Sequence, residues 1–514
     1  MLELLVAGMG LVVVGAVPNT LPVAKVLVPV VREHQESWFC GGDMRISLPL
    51  NGPSKQDRAI QCNSQRSINM YPAFRQGDAK SDLVLYSHPG LVLTAIAGLG
   101  PHRANPAKFL DKLWWVSGSE LISMDATETI TTVGTLSSSG ARVVMAPGRN
   151  YMVLVDGTYG YYTDGTTLTQ ITDADFPSSP GYVVYKDGFF PVNDSATDDF
   201  YINTTSEDPT AWDPLDFSTS SASPDKTLAE AVLGNDLYML GEDTTQMYFN
   251  SGNADFPFES YPGAMPIGIG AAYSVVSSTR GLIWLGSNKD GEMAIVQASG
   301  GQYKQISDEE LTWQINQLTT KSDAIAWVRR QGGVSFYEIT FPAASKTWSI
   351  NLDANEQASE LKSFGIQRFK GNGYGYLSNR AYVGDYSNGN IYQLDFGTYT
   401  DDSDAFIRTR RTRVIHKDGL SLTFRSLILD PEAGVGLITG QGSDPQVMMR
   451  YSWDGGRTWS SDLWTSLGAI GHPEYKPTWN NLGMGYDWQF EFSCSDPVKF
   501  NLFNLFADIE VGRS

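Results

Sequence analysis

The sequence predicts an all-β fold: a β-propeller of six or seven blades with an additional C-terminal β-sandwich-like domain. Three observations carry that reading. A phrase of apolar strand, polar or glycine turn and aromatic-rich strand recurs through the middle of the chain. Gly (51), Tyr (24), Phe (23) and Trp (13) are abundant while charged residues make up only 18%, a mixture suited to short strands joined by tight turns. Beyond about residue 400 the rhythm changes to strict alternation, the mark of strands with one buried face. At 514 residues the chain exceeds one ordinary core, so two or three packed units are expected.

Residues 1–43 are set apart. The apolar run Leu4–Val17 is short for a membrane span, Pro18 and Pro22 interrupt its continuation, and Glu3 is the only charge ahead of it, unlike the basic start of a secretory signal. Met44 opens a strand-like segment, so residues 1–43 are expected to be a poorly ordered extension or to lie upstream of the true start. Residues 44–104 are expected to supply strands that complete or cap the propeller. Residues 105–400 carry the repeat, with turns at Asp111-Lys112, Gly148-Arg149-Asn150, Asp187-Gly188, Gly234-Asn235, Arg280-Gly281, Gly332-Gly333 and Asn379-Arg380. Their spacing of roughly 40 to 50 residues is that of a four-stranded blade; an array of β-sandwich hairpins is the rival. One helix is predicted over Asp308–Asn316, from acids in its first turn and apolar residues at helical spacing. Tyr399–Asp404 reads as a polar, acidic linker, and residues 401–514 as the separate C-terminal β domain.

The formal net charge is −20. Holding nucleic acid by its phosphates requires Lys and Arg, so sequence-specific DNA binding is excluded, while an acidic surface lining a passage would keep DNA from sticking. The three cysteines (Cys40, Cys62, Cys494) have no paired spacing, which points to neither a disulfide framework nor a zinc site. None of the five histidines stands in a metal-like or nucleophile-activating pattern. Asp401, Asp402 and Asp404 lack the spaced ligands of a calcium loop, and Gly371–Gly375 lacks the lysine of a phosphate-binding loop. No cofactor, metal or catalytic residue is predicted.

Two motifs stand out. Ser452, Asp454, Gly456, Thr458 and Trp459 match the Asp-box pattern S-x-D-x-G-x-T-W, in which the carboxylate accepts backbone N–H bonds within a turn and the indole packs beneath it. The motif specifies a hairpin and not a reaction. A sialidase would carry several such boxes, an arginine cluster and a tyrosine nucleophile; a single box lies here, outside the repeat. Arg408, Arg410, Arg411 and Arg413 form an arginine-rich strand, read either as a phosphate-contacting or docking patch or as a strand whose arginines pair with the chain's own carboxylates.

From Met44 onward the chain resembles the packaged-DNA stabilisation proteins, the tail accessory hubs or nozzles of short-tailed bacteriophages (podoviruses). The likeness is carried by Arg66-Ser-Ile-Asn-Met-Tyr-Pro72, Leu85-Tyr-Ser-His-Pro-Gly-Leu91, Asp243–Gly252, Gly384–Tyr392 and the arginine-rich strand. It implies a structural, non-enzymatic virion protein of the phage tail, assembled in the host cytoplasm and not in a membrane. Such a protein forms a homohexamer ring below the portal and adaptor ring, anchors tailspikes or tail fibres, meets a tail needle or plug, and passes double-stranded DNA without sequence-specific binding. The alternatives are a carbohydrate-active propeller, sialidase- or depolymerase-like, and a glycan-binding tail module.

Overall fold

A computed structural model of the chain describes residues 44–75, 80–219, 225–253 and 256–512; the expected extension over 1–43 lies outside the described residues. The architecture is a β-propeller joined to a β-sandwich. Among the described residues there are seven blades. Blades one to four are consecutive four-stranded antiparallel sheets beginning at Ala107, Val144, Pro180 and Thr227. Blade five, over Gly268–Gln305, splits its innermost strand into Gly268–Ile269 and Val276–Ser278 around a short 3-10 turn. Blade six spans Ile325–Glu360. Blade seven takes three strands from Gly371–Asp395 and its outermost strand, Gly90–Ile96, from the N-terminal side of the repeat. The innermost strands contact one another in sequence, and that of blade seven touches that of blade one, so the ring is closed.

The unbroken apolar phrases follow from this packing. The second strand of a blade is covered on both faces by its neighbours, so it does not alternate. Trp114 and Trp115, Met152–Val155, Leu237–Leu240 and Leu282–Leu285 are all fully buried. Most of the predicted turns join these strands to the innermost ones. They require positive φ, met by glycine at Gly332 (62°) and Gly333 (79°), but by Leu110 (49°) with Asp111 (55°) and by Ser378 (49°) with Asn379 (66°) where glycine is absent. The predicted helix forms at Glu309–Asn316, with the Asp308 carboxylate accepting the Leu311 N–H at 2.8 Å.

The sandwich draws on both ends of the described chain. One sheet orders Met70–Phe74, Leu83–Ser87, Leu502–Val511, Leu422–Pro431 and Thr478–Gly485, with Met44–Leu48 also paired on Leu502–Val511. The other orders Arg66–Ile68, Arg408–Arg411, Gln489–Cys494, Gln446–Ser452 and Leu463–Ser466. Ile46, Leu48, Leu50, Met70 and Leu85 share one core with Phe424, Leu427, Trp488, Phe490, Phe492 and Leu505. The expectation for 44–104 is corrected accordingly: only Gly90–Ile96 completes the propeller, and the four strands before it enter the sandwich because their apolar side chains fit its core. The linker reading of Tyr399–Asp404 is corrected as well. Thr400–Asp401 and Asp404–Ala405 form a hairpin against the closing strand. Asp401 is buried and ion-paired to Lys370 at 3.0 Å.

Candidate functional site

The feature that organises the molecule is the seam between propeller and sandwich. The outermost strand of blade six, Gln357–Glu360, pairs in parallel with Arg66–Ile68, which pairs in antiparallel with Arg408–Arg411. Blade and sandwich sheet are therefore one continuous nine-stranded sheet. Backbone hydrogen bonds, not a flexible linker, hold the two parts in register.

Strand alternation divides the arginine-rich segment. Arg408 and Arg410 point into the sandwich and are fully buried. The Arg410 guanidinium donates to the carbonyls of Leu50 (2.6 Å), Gly52 (2.9 Å) and Pro53 (3.1 Å), to Ser67 Oγ (3.0 Å) and to Gln65 Oε1 (2.6 Å). Arg408 donates to the carbonyls of Val498 and Asp496. Burial lowers both guanidinium groups from their ordinary value, Arg410 to about 9. Enclosed by this chain's own groups, neither guanidinium faces the surface, which corrects the phosphate-contacting or docking reading of these two residues. They replace water for carbonyls that have no strand partner.

On the opposite face a charge ladder crosses the seam. Arg66 grips Glu360 with two bonds of 2.6 Å. Arg411, beside Arg66 in register, donates to Glu491 Oε2 at 2.7 Å, and Arg450 donates to Glu491 Oε1 at 2.7 Å. The Asp box covers this end. Its Asp454 carboxylate accepts the N–H groups of Arg457 (3.0 Å) and Thr458 (2.9 Å) and the hydroxyls of Thr458 (2.6 Å) and Ser452 (2.7 Å). Burial would raise the carboxyl, but these donors, Thr458 foremost, hold it at about 2. Gly456 (φ 90°) makes the bend, and the Trp459 indole donates to the Gly456 carbonyl at 3.1 Å. The same ring lies 4.6 Å from the Arg411 guanidinium and 5.1 Å from that of Arg450. Arg413 is exposed.

A second network, which sequence reasoning missed, lies under the Ser-His-Pro-Gly turn. Arg329 Nε donates to Glu338 Oε1 and Trp327 Nε1 donates to Glu338 Oε2, both at 2.7 Å, with Arg329 and Glu338 almost completely buried. Arg329 Nη2 lies 2.9 Å from His88 Nδ1, and His88 Nε2 lies 3.3 Å from Ser359 Oγ. With a guanidinium donating to Nδ1 the ring must be neutral, and burial followed by the Arg329 charge holds its pKa well below the usual value. His88 and Phe336 also pack on Tyr71 of the sandwich at 5.0 and 4.9 Å. Two residues further, Gly90 has no room for a side chain: a Cβ there would meet the Thr398 carbonyl and stand 2.6 Å from that of Thr400. The sequence signal was this motif itself, whose histidine and glycine are both required by close packing.

The propeller axis is filled. Tyr182 of blade three stacks on Tyr273 of blade five at 6.5 Å, passing over blade four. Arg142, leading into blade two, lies 5.7 Å from the same ring and donates to Asn105 Oδ1 at 3.0 Å and to the Asn372 carbonyl of blade seven at 3.2 Å. Contacts between non-adjacent blades can form only across the axis, so this propeller offers no duplex-wide bore. Among the described residues, no group of three His, Cys, Asp or Glu is arranged to hold a metal ion, and no helix is long and apolar enough to cross a membrane.

A seven-bladed propeller and a β-sandwich share one sheet, and Arg408 and Arg410 are held by internal bonds at their junction. The family model described as bacteriophage P22 Gp10, beta-propeller, matches residues 44–399, and the one described as bacteriophage P22 Gp10, beta-sandwich, matches residues 407–510. The chain belongs to this Gp10 family of packaged-DNA stabilisation proteins, structural components of the phage tail. No curated protein matches the sequence. Among solved structures, the chain is similar to a catalytically inactive virginiamycin B lyase from Staphylococcus aureus with quinupristin, at 13% identity and TM-score 0.42, covering 59% of this chain and 98% of that one. It is also similar to the computationally designed Ika8 protein (10%, TM-score 0.37, 60% and 99% covered) and to the Neurospora crassa Pan2 WD40 domain (9%, TM-score 0.37, 62% and 96% covered). Likenesses this low carry no inference about chemistry.

Proposed function

We propose that the chain is the hub or nozzle subunit of a short-tailed phage: a homohexameric ring below the portal and adaptor that extends the DNA channel, retains packaged DNA and anchors tailspikes or fibres. The observation that carries this reading is the family match across both propeller and sandwich. The filled axis supports the ring, because a duplex that does not pass through one propeller must pass between subunits. The shared sheet supports a mechanical role, since load on either part is transmitted through backbone hydrogen bonds. The net charge of −20 suits a channel wall, as like charges repel DNA over about a Debye length, roughly 8 Å at physiological salt. The ring would meet a needle or plug at its far end. Phage particles assembled without the protein should release their DNA, and supplying the protein in trans should restore retention. Full retention in its absence, or cleavage of host glycan by the purified chain, would overturn the assignment in favour of a carbohydrate-active module.

A further inference from the structure

At the propeller end of the charge ladder lies a cavity of about 210 Å³, lined among others by Arg66, Lys346, Trp348, Glu360, Lys362 and Gln367. We propose that this cavity is an anion site that takes a compact oxyanion, phosphate or carboxylate, with the Lys346 and Lys362 amines as its principal ligands.

The charge count points there. Three cations face the cavity with one carboxylate between them, and that carboxylate is already gripped by Arg66 through both oxygens at 2.6 Å. Lys362 stands 3.9 Å from Glu360 and donates instead to Gln367. Lys346 has no carboxylate within ion-pair distance among the described residues; its amine lies 5.5 Å from the Trp348 ring. In a chain with 57 acidic and 37 basic residues, the two lysines and the arginine lining this cavity share the single carboxylate of Glu360, a local positive excess. The Lys362 side chain is only 19% exposed, so water screens it incompletely. Its pKa is lowered, first by burial and then by the Arg66 charge; Glu360 opposes the shift and Lys346 adds to it. An oxyanion seated between the amines would reverse that repulsion and form charge-assisted hydrogen bonds. Gln56 and Gln314 on the wall, the latter from the Glu309–Asn316 helix, supply neutral amide donors. Buried Trp348 gives the cavity a rigid floor. The site stands whether or not the chain assembles into a ring.

The test is isothermal titration calorimetry of the full chain at constant ionic strength with two probes, sodium phosphate and a hexaglutamate peptide. It compares wild type with K346Q/K362Q and with K289Q/K304Q, which removes the same charge elsewhere. Saturable binding is expected in wild type and in K289Q/K304Q, weakened at least about tenfold in K346Q/K362Q. Tighter binding of hexaglutamate than of phosphate assigns the site to an acidic segment of a partner; saturation by phosphate alone assigns it to a free anion. Absence of saturable binding by either probe, or equal affinity in both variants, would overturn the proposal.

Discussion

Replacing Arg410 with methionine removes a side chain of similar length while withdrawing every donor from a buried cluster of acceptors. Of the six groups its guanidinium reaches, the Arg66 carbonyl at 3.4 Å being the most distant, the Gly52 carbonyl keeps a bond from Ser67 Oγ at 2.9 Å. The buried Leu50 and Pro53 carbonyls lose theirs. Each stranded carbonyl costs about 1–3 kcal/mol. Part of the resulting total of about 2–6 kcal/mol is offset because a buried cation no longer needs solvation, which leaves a net loss of about 1–4 kcal/mol. A unit of this size unfolds with an entropy near 1 kcal/mol per degree, so Arg410→Met should lower Tm by about 1–4 °C if propeller and sandwich melt together. A larger drop, confined to one of two transitions, is expected if the sandwich melts alone. Differential scanning calorimetry at pH 7.5 is the assay, with exposed Arg413→Ala as the control, expected within about 0.5 kcal/mol of wild type. If Arg410→Met melts like Arg413→Ala, the guanidinium is not holding the sandwich together and the docking reading of this strand returns.

Three further outcomes are expected. His88 and His102 are buried with depressed pKa values, His102 at about 4 chiefly through burial. The unfolded chain takes up protons below about pH 6.5 while the folded one does not, so stability is lost as pH falls from about 6.5 towards 4. A Tm–pH profile should show a shallower loss in His88→Gln than in wild type, and an unchanged slope would refute it. Glu230, on the innermost strand of blade four, is 1% exposed with no hydrogen-bond partner for either carboxyl oxygen among the described residues, and burial raises its pKa well above the usual value. Ionisation of the unfolded chain alone then erodes stability as pH rises above about 4.5. Glu230→Met should raise Tm at pH 8 by the equivalent of about 1–3 kcal/mol, and a fall in Tm would show that the carboxyl is satisfied. Gly90→Ala should prevent ring closure, read as protease sensitivity between blades seven and one; wild-type resistance would mean that the Thr398 and Thr400 carbonyls can retreat.

Much of the propeller was legible because its signals are local. The turn at Gly332-Gly333 and the run Leu282–Leu285 each declare a hairpin within a few residues. Blade seven's closure was not legible, since Gly90–Ile96 pairs with Asn390–Asp395 across about 300 residues and no local property marks that partner. The sandwich was half visible for the same reason. Leu422–Pro431 and Gln489–Cys494 alternate, but Met44–Leu48 joins Leu502–Val511 through pairs such as Arg45 with Asp508, a match of register and not of composition. The arginine strand shows where residue type misleads. Arg408 and Arg410 differ from Arg411 and Arg413 only in parity, and parity assigns a face only once the sheet's orientation is known. His88 was visible as part of a motif, yet its role depends on Arg329, which sits in a strand with no comparable signal.

The central claim, that this chain is a ring-forming tail subunit, is tested most directly by electron microscopy of the purified protein mixed with its adaptor ring. The account predicts sixfold rings in which DNA-width density runs between subunits and each propeller axis stays filled. A persistent monomer in the presence of the adaptor, or a ring whose channel runs through the propellers themselves, would contradict it.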